Sequence, residues 1–291
     1  MAREYRSFLL ITADKTSERR EDEIFRRYVN ALAHSPRQWF RLRDADALAR
    51  FTIAAALACN DLDDVWFTEQ QFEVMCEISV TMYDAVAFFK HHSEGETNNT
   101  FQYSPSELRV PAVRQCREML WALDCAWFDK PELCLVTNFL RYFGGPLFMT
   151  MRRYRFVEDG CTIGNQETVE IISHARQNRK LWNRMDAGTS VRSTIVRYHQ
   201  ALESADLLMF DGLSDMLKTD NDLRCGECQF RTSYGSNELY HFGGVKLCDR
   251  CKEKWKTYME QLPCRVASAF AEINSSAVLG KVWRTGANGN V

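Results

Sequence analysis

The sequence predicts an all-α protein, a helical bundle carrying a small C-terminal zinc module. Three observations predict it. Apolar residues recur at helical spacing through most of residues 1–217, with helix-start signatures between the runs. No stretch alternates apolar and polar residues at strand period for any useful length. Two Cys-x-x-Cys pairs, Cys225/Cys228 and Cys248/Cys251, stand near the C-terminus.

The elements follow in order. Ala2 to Ala13 opens the bundle with Tyr5, Phe8, Leu9 and Leu10, and Ser17 to His34 is amphipathic, ending at Ser35-Pro36. Asp44 to Phe67 reads as one helix, which delivers Asn60, Asp61, Asp63 and Asp64 at the end of the apolar run Ile53–Cys59. Thr68-Glu69-Gln70-Gln71 has the spacing of a capping box. The helix it starts runs from Glu69 to about Ser93, with Phe72, Met75, Ile78, Met82, Val86 and Phe89 on one face. Ser104-Pro105-Ser106-Glu107 starts another helix. Helices are expected around 113–127, 131–142, 146–157, 167–184 and 191–217. The resulting division is a helical domain 1–217, a zinc module 218–262 and a partly disordered tail 263–291.

A chain of 291 residues with 45% apolar and 12% aromatic content buries one large core or two modest ones. A net charge of −2 gives no global attraction to nucleic acid. No apolar run approaches the roughly 20 residues that span a bilayer, and Met1-Ala2-Arg3-Glu4 lacks a signal-peptide layout. An odd number of cysteines, 11, scattered through helices points to a reducing compartment. The expected location is cytoplasmic, without nucleic acid or membrane span. The oligomeric state is not readable.

Three acids beside so apolar a run are costly to bury unless a positive group sits opposite. Either they are a solvated helix end or they form the polar end of a cavity. The second reading places Asp61 and Asp64 on one helix face with Asn60 beside them. Phe88, Phe89, Trp121 and Phe148 would be the aromatic wall. Each cysteine pair presents two thiolates to one tetrahedral ion, and the loop between lets the pairs meet. Four thiolates close the site, so the zinc is structural. A basic cluster, Met151 to Phe156, follows an apolar helix, and the planar fork of arginine suits a polyanion. Arg176, Arg179, Lys180 and Arg184 read instead as a solvated face, and Arg197-Tyr198 recurs on the next helix.

Acids, basic cluster and aromatic bundle together resemble class I terpene synthases, which hold magnesium on helix carboxylates and bind an isoprenyl diphosphate through metal and arginine. Tyr83-Asp84-Ala85-Val86-Ala87-Phe88-Phe89-Lys90-His91, followed by Gly95-Glu96-Thr97-Asn98-Asn99, resembles that family's second metal motif. Asp84, Lys90, Gly95, Glu96 and Asn99 match it. The three ligand positions are Tyr83, Ala87 and His91, so the usual metal grip is absent. Arg153-Tyr154 resembles the diphosphate-sensing Arg-Tyr pair.

A closer resemblance covers almost the whole chain. The runs MAREYRSFLLITADK, FRRYVNALAHSPRQWFR, ARFTIAAALACNDLDDVWFTE, YDAVAFFKHHSEGETNNTF, MRRYRFVEDG and KLWNRMD, with the cysteine tail, resemble the fungal α-ionylideneethane synthases of abscisic-acid biosynthesis. Longer members carry an N-terminal extension. The resemblance implies farnesyl diphosphate as substrate, magnesium as cofactor and a hydrocarbon product. It also implies deprotonation and reprotonation, for which Asp61, Asp64, Asp84, Glu96, His91 and Tyr83 are the suitable residue types. Lys90, Arg153, Tyr154 and Arg197 would meet the diphosphate, and Asp61 and Asp64 the magnesium. The rival class is a non-catalytic zinc-containing interaction or nucleic-acid-associated helical protein. Near-neutral charge and the lack of a continuous basic face stand against it.

Overall fold

The computed structural model describes residues 1–15, 22–32, 35–94, 98–141, 194–218, 225–230 and 245–275. Its described part is almost entirely helical. α1 (Ala2–Lys15) and α2 (Glu23–Leu32) bury Ile11 and the set Ile24, Phe25, Tyr28 and Val29. α3 (Pro36–Ala47) starts on Ser35, whose hydroxyl accepts from the Gln38 N–H at 3.1 Å, with proline at the first turn.

The helix expected from Asp44 to Phe67 is broken twice. Leu48 takes φ 56° and ends α3, and α4 (Ala49–Ala58) restarts at once. Leu48 offers α4 no side-chain cap, so Asp44 supplies one, accepting from the Arg50 N–H at 2.9 Å. The second break is a Schellman turn: Leu62 N–H donates to Leu57 O at 3.1 Å and Asp61 N–H to Ala58 O at 3.3 Å. Asp61 is its left-handed residue, with φ 56°. The chain then turns back to insert Phe67, only 6% exposed, into the core.

α5 (Glu69–Glu94) opens on the expected capping box. Gln71 N–H donates to Thr68 Oγ1 at 3.3 Å, and Thr68 N–H to Gln71 Oε1 at 2.9 Å. α5 is the central element, packed against α3 and α4 and against α7 (Arg109–Ala126) and α8 (Pro131–Arg141). Between α5 and α7 lie the short α6 (Thr100–Tyr103) and a 3-10 turn, Ser106–Leu108.

The helix expected over 191–217 is three pieces among the described residues: α9 (Thr194–Glu203), α10 (Ala205–Leu208) and α11 (Leu213–Lys218). Gly212, with φ 92°, makes the bend before α11. β1 (Gln229–Phe230) pairs antiparallel with β2 (Val245–Lys246), Gln229 opposite Lys246. α12 (Asp249–Glu260) follows the second cysteine pair.

Residues 263–275, the described part of the segment expected to be a tail, are mostly helical. They form α13 (Leu262–Ala269) and α14 (Ala271–Ser275), and Val266, Phe270 and Ile273 are buried. α12 also joins the core. Trp255 lies 5.6 Å from Trp39 and 5.5 Å from Tyr103, ring centre to ring centre. Among the described residues no helix is long and apolar enough to cross a membrane.

Candidate functional site

The last turns of α5 gather the motif around Asp84. Its carboxylate is fully buried and accepts from Arg43 Nε at 3.2 Å to each oxygen and from Arg43 Nη2 at 2.6 Å. Thr100 adds its N–H and its hydroxyl, each at 2.8 Å. Trp39 Nε1 donates in turn to Thr100 Oγ1 at 3.1 Å. Burial alone would lower the pKa of Arg43, but Asp84 and Asp46 outweigh it and raise it well above the ordinary value. Lys15 extends the chain of charges to Asp46 at 3.2 Å. Every acceptor direction of Asp84 is therefore occupied from within the protein.

Around this pair stand Tyr83, His91, Asn98 and Asn99. The Tyr83 and His91 rings are 5.7 Å apart, and the Arg43 guanidinium lies 5.7 Å from the Tyr83 ring centre. Asn99 Nδ2 is 2.9 Å from both the Asp84 carbonyl and His91 Nδ1. Asn98 Nδ2 donates to the Tyr28 hydroxyl at 3.2 Å. The segment 98–100 is thus fastened to α5, α3 and α2.

A second line of charge runs across α1, α3, α4 and α5. Arg41 donates to Glu4 at 2.6 and 3.1 Å, Arg50 reaches Asp44, and Arg50 Nη1 donates to Glu69 at 2.7 Å. Arg50 also lines a cavity of about 240 Å³ together with Glu4, Trp66, Phe67, Phe72 and Phe210. Asp61 and Asp64 do not line it. Both are exposed, on the turn after α4 and not on a shared helix face, because the Schellman turn ends that helix first. Trp121, expected in an aromatic wall, is 62% exposed on α7, and Phe88 is half-buried under the Arg109 guanidinium at 4.8 Å.

Arg197, expected at a diphosphate, donates to Asp14 at 2.6 Å and to Asp22 at 3.4 Å. Glu96, Arg153, Tyr154, Phe148 and Arg176 to Arg184 lie outside the described residues, as do the side chains of Lys90 and Phe89. Sequence reasoning missed Arg43 and Thr100. The signal for Arg43 was the dense Arg43-Asp44-Ala45-Asp46 run on a helix that also carries Trp39 and Leu42. It also missed Glu77, a buried carboxyl pushed up to about 7 by burial, against the opposing pull of Arg265.

The cysteines converge as their spacing predicts. The Sγ atoms of Cys225, Cys228, Cys248 and Cys251 all lie within 4.8 Å of one another, and Cys225 and Cys248 are 3.8 Å apart. Four sulfurs at about 2.3 Å from one ion stand about 3.8 Å apart in a regular tetrahedron, so the set fits one tetrahedral metal. Arg250 donates to Cys225 Sγ at 3.4 Å and draws that thiol down to about 6. The Cys248 N–H donates to Cys228 Sγ at 3.4 Å. Among the described residues this is the sole group of three or more Cys, His, Asp or Glu side chains arranged to hold a metal.

Residues 1–272 match the family model described as alpha-ionylideneethane synthase aba3. The alpha-ionylideneethane synthase aba3 of Botryotinia fuckeliana (strain B05.10) is 56% identical over 275 residues, which is 94% of this chain and 62% of that protein. The synthase abl3 of Leptosphaeria maculans is 57% identical over 274 residues, 94% of this chain and 64% of its own length. That of Pyricularia oryzae (strain Y34) is 45% identical over 333 residues, with the same shares. The chain therefore spans somewhat less than two thirds of the length of these curated relatives.

Proposed function

Because the chain belongs to the alpha-ionylideneethane synthase family, we propose that it is a sesquiterpene synthase of abscisic-acid biosynthesis. It takes farnesyl diphosphate, releases diphosphate and forms α-ionylideneethane or a related hydrocarbon, a lyase reaction. The observation that carries this reading is the match over residues 1–272, with 56% and 57% identity to relatives named for that synthesis.

Ionising an allylic diphosphate requires the leaving group's charge to be neutralised. The resemblance assigns part of that task to magnesium, which takes one or two carboxylates and otherwise water and phosphate oxygens. Asp84 does not fit such an ion, since Arg43 and Thr100 take its oxygens. Asp61 and Asp64 are exposed, and with Asp63 they form no three-ligand group. Among the described residues no group of carboxylates is arranged to hold such an ion. Asp61 and Asp64 nonetheless keep a functional reading. Acids just beyond a helix C-terminus oppose the helix dipole, so α4 carries them at a cost to its own stability. The four cysteines hold zinc in this reading, as a structural ion with no open position.

The test uses the protein encoded by the complete gene, incubated with farnesyl diphosphate and magnesium. Gas chromatography of the extract should show a sesquiterpene hydrocarbon, with diphosphate released alongside. Neither product, from folded protein with zinc bound, overturns the proposal.

A further inference from the structure

The cavity of about 240 Å³ beside Arg50 is walled by four aromatic rings, Trp66, Phe67, Phe72 and Phe210. Trp66 and Phe67 each meet Phe72 edge to face, with ring centres 5.5 and 5.7 Å apart. Phe67, Phe72 and Phe210 are buried, whereas Trp66 is 60% exposed and stands at the rim. The volume is somewhat below the roughly 300–1,000 Å³ of sites for drug-sized ligands, so the space suits a small molecule and not a peptide segment.

The charges around this cavity ask for no counter-charge. Arg3 pairs with Asp211 at 2.7 Å, Glu4 with Arg41 at 2.6 Å and Glu69 with Arg50 at 2.7 Å. The acidic side chains of the lining, Glu4, Glu69 and Asp211, outnumber the basic ones, Arg3 and Arg50. A diphosphate would therefore meet three carboxylates and no uncommitted basic side chain, and like charges at close range are costly. One donor is left over. Arg50 is 4% exposed; its Nε donates to Asp44 and its Nη1 to Glu69, but its Nη2 has no partner. A buried donor in that state costs free energy that an acceptor oxygen would recover.

We propose that this cavity binds a neutral, largely apolar molecule carrying one acceptor oxygen, a hydroxyl or carbonyl, of the class of a terpene alcohol. The hydrocarbon body lies against Trp66, Phe72 and Phe210, and the oxygen accepts from Arg50. Trp66 passes from exposed to covered as the ligand enters. The site stands on the cavity and its charges alone and does not depend on the synthase reading above.

The test is isothermal titration calorimetry of the magnesium-free protein with geraniol, with its hydrocarbon counterpart myrcene and with geranyl diphosphate. Geraniol should bind at one site per chain and shift tryptophan emission to the blue, as Trp66 leaves water. Myrcene, which has no oxygen for Arg50, should bind about tenfold more weakly. Geranyl diphosphate should not displace geraniol. Trp66→Ala, which breaks no ion pair, should weaken geraniol about tenfold. Trp66→Phe should keep the affinity and lose the shift. No binding of geraniol, equal affinity for myrcene, or displacement by geranyl diphosphate overturns the proposal with the wild-type protein alone. Unchanged affinity in folded Trp66→Ala, or a shift that persists in Trp66→Phe, puts the ligand elsewhere and overturns it too. Geraniol binding as expected, in protein that makes no product from farnesyl diphosphate, supports the site and sinks the synthase reading.

Discussion

Leu48 and Asp61 share a left-handed backbone, φ 56° in each, for different reasons. At Leu48 the branched side chain makes that conformation costly, and Asp44 holds the break by capping α4. Asp61 is a residue type that tolerates it, and it closes a Schellman turn. Its negative charge, however, faces the negative end of the α4 dipole. Asp61→Asn should therefore leave the fold intact and raise stability by roughly 0.3–1 kcal/mol in urea unfolding. A loss of more than that would mean the carboxylate makes a stabilising contact. Asp84 should behave oppositely. Asp84→Asn leaves Arg43 buried against a neutral partner, so a loss of about 3–5 kcal/mol is expected in the same experiment. That contrast between two acids was not legible in the sequence, where both sit among apolar residues. What separates them is a partner forty-one positions away in the chain, Arg43.

Between elements, the least ordinary contact joins α5 to α13. Glu77 on α5 meets Arg265 on α13, whose guanidinium also covers the Tyr258 ring at 3.8 Å. Burial raises the Glu77 carboxyl from 4.5 to about 7, while Arg265 and Tyr258 pull the other way. Between these two values the folded protein binds the proton and the unfolded chain does not. The stabilisation from this group is thus fully present below about 4.5 and lost as pH rises through about 7, on the order of 3 kcal/mol in all. Glu77→Gln should flatten that part of the stability profile measured by thermal melts between pH 4.5 and 7.5. An unchanged slope would assign the dependence to other groups. The four-cysteine module is tied to the same region. α12 places Trp255, 1% exposed, against Trp39 and Tyr103. Metal analysis should find one zinc per chain, and removing it with a chelator should shift tryptophan emission to the red as Trp255 meets water. Zinc loss without any change in emission would show that α12 stays docked unaided. Cysteine spacing and the Thr68–Gln71 box were readable because both are local patterns. Which core α12 enters depends on long-range packing, and no local pattern reports it.

Across the molecule, charge is buried as connected lines. Glu4, Arg41, Asp44, Arg50 and Glu69 tie α1, α3, α4 and α5 together, and Lys15, Asp46, Arg43, Asp84 and Thr100 tie α1, α3, α5 and α6. The helical class was legible from periodicity, but these lines were not, because each pairs residues that look like solvated helix faces when read singly. Asp61, Asp63 and Asp64 are the counterexample, since they remain outside every line. Among the described residues no ion-pair partner is found for them, and the α4 dipole disfavours them, so the role proposed for them is chemical. Asp61→Asn and Asp64→Asn should each fold as well as the parent. If the two carboxylates stabilise separating charge, product formation from farnesyl diphosphate should fall by at least about tenfold and stay low at saturating substrate. Because the lost interaction would belong to the transition state, KM should move far less than kcat. Full turnover in both variants would show that the turn serves only to end α4, and the chemistry would then be sought at Tyr83, His91 and Glu96.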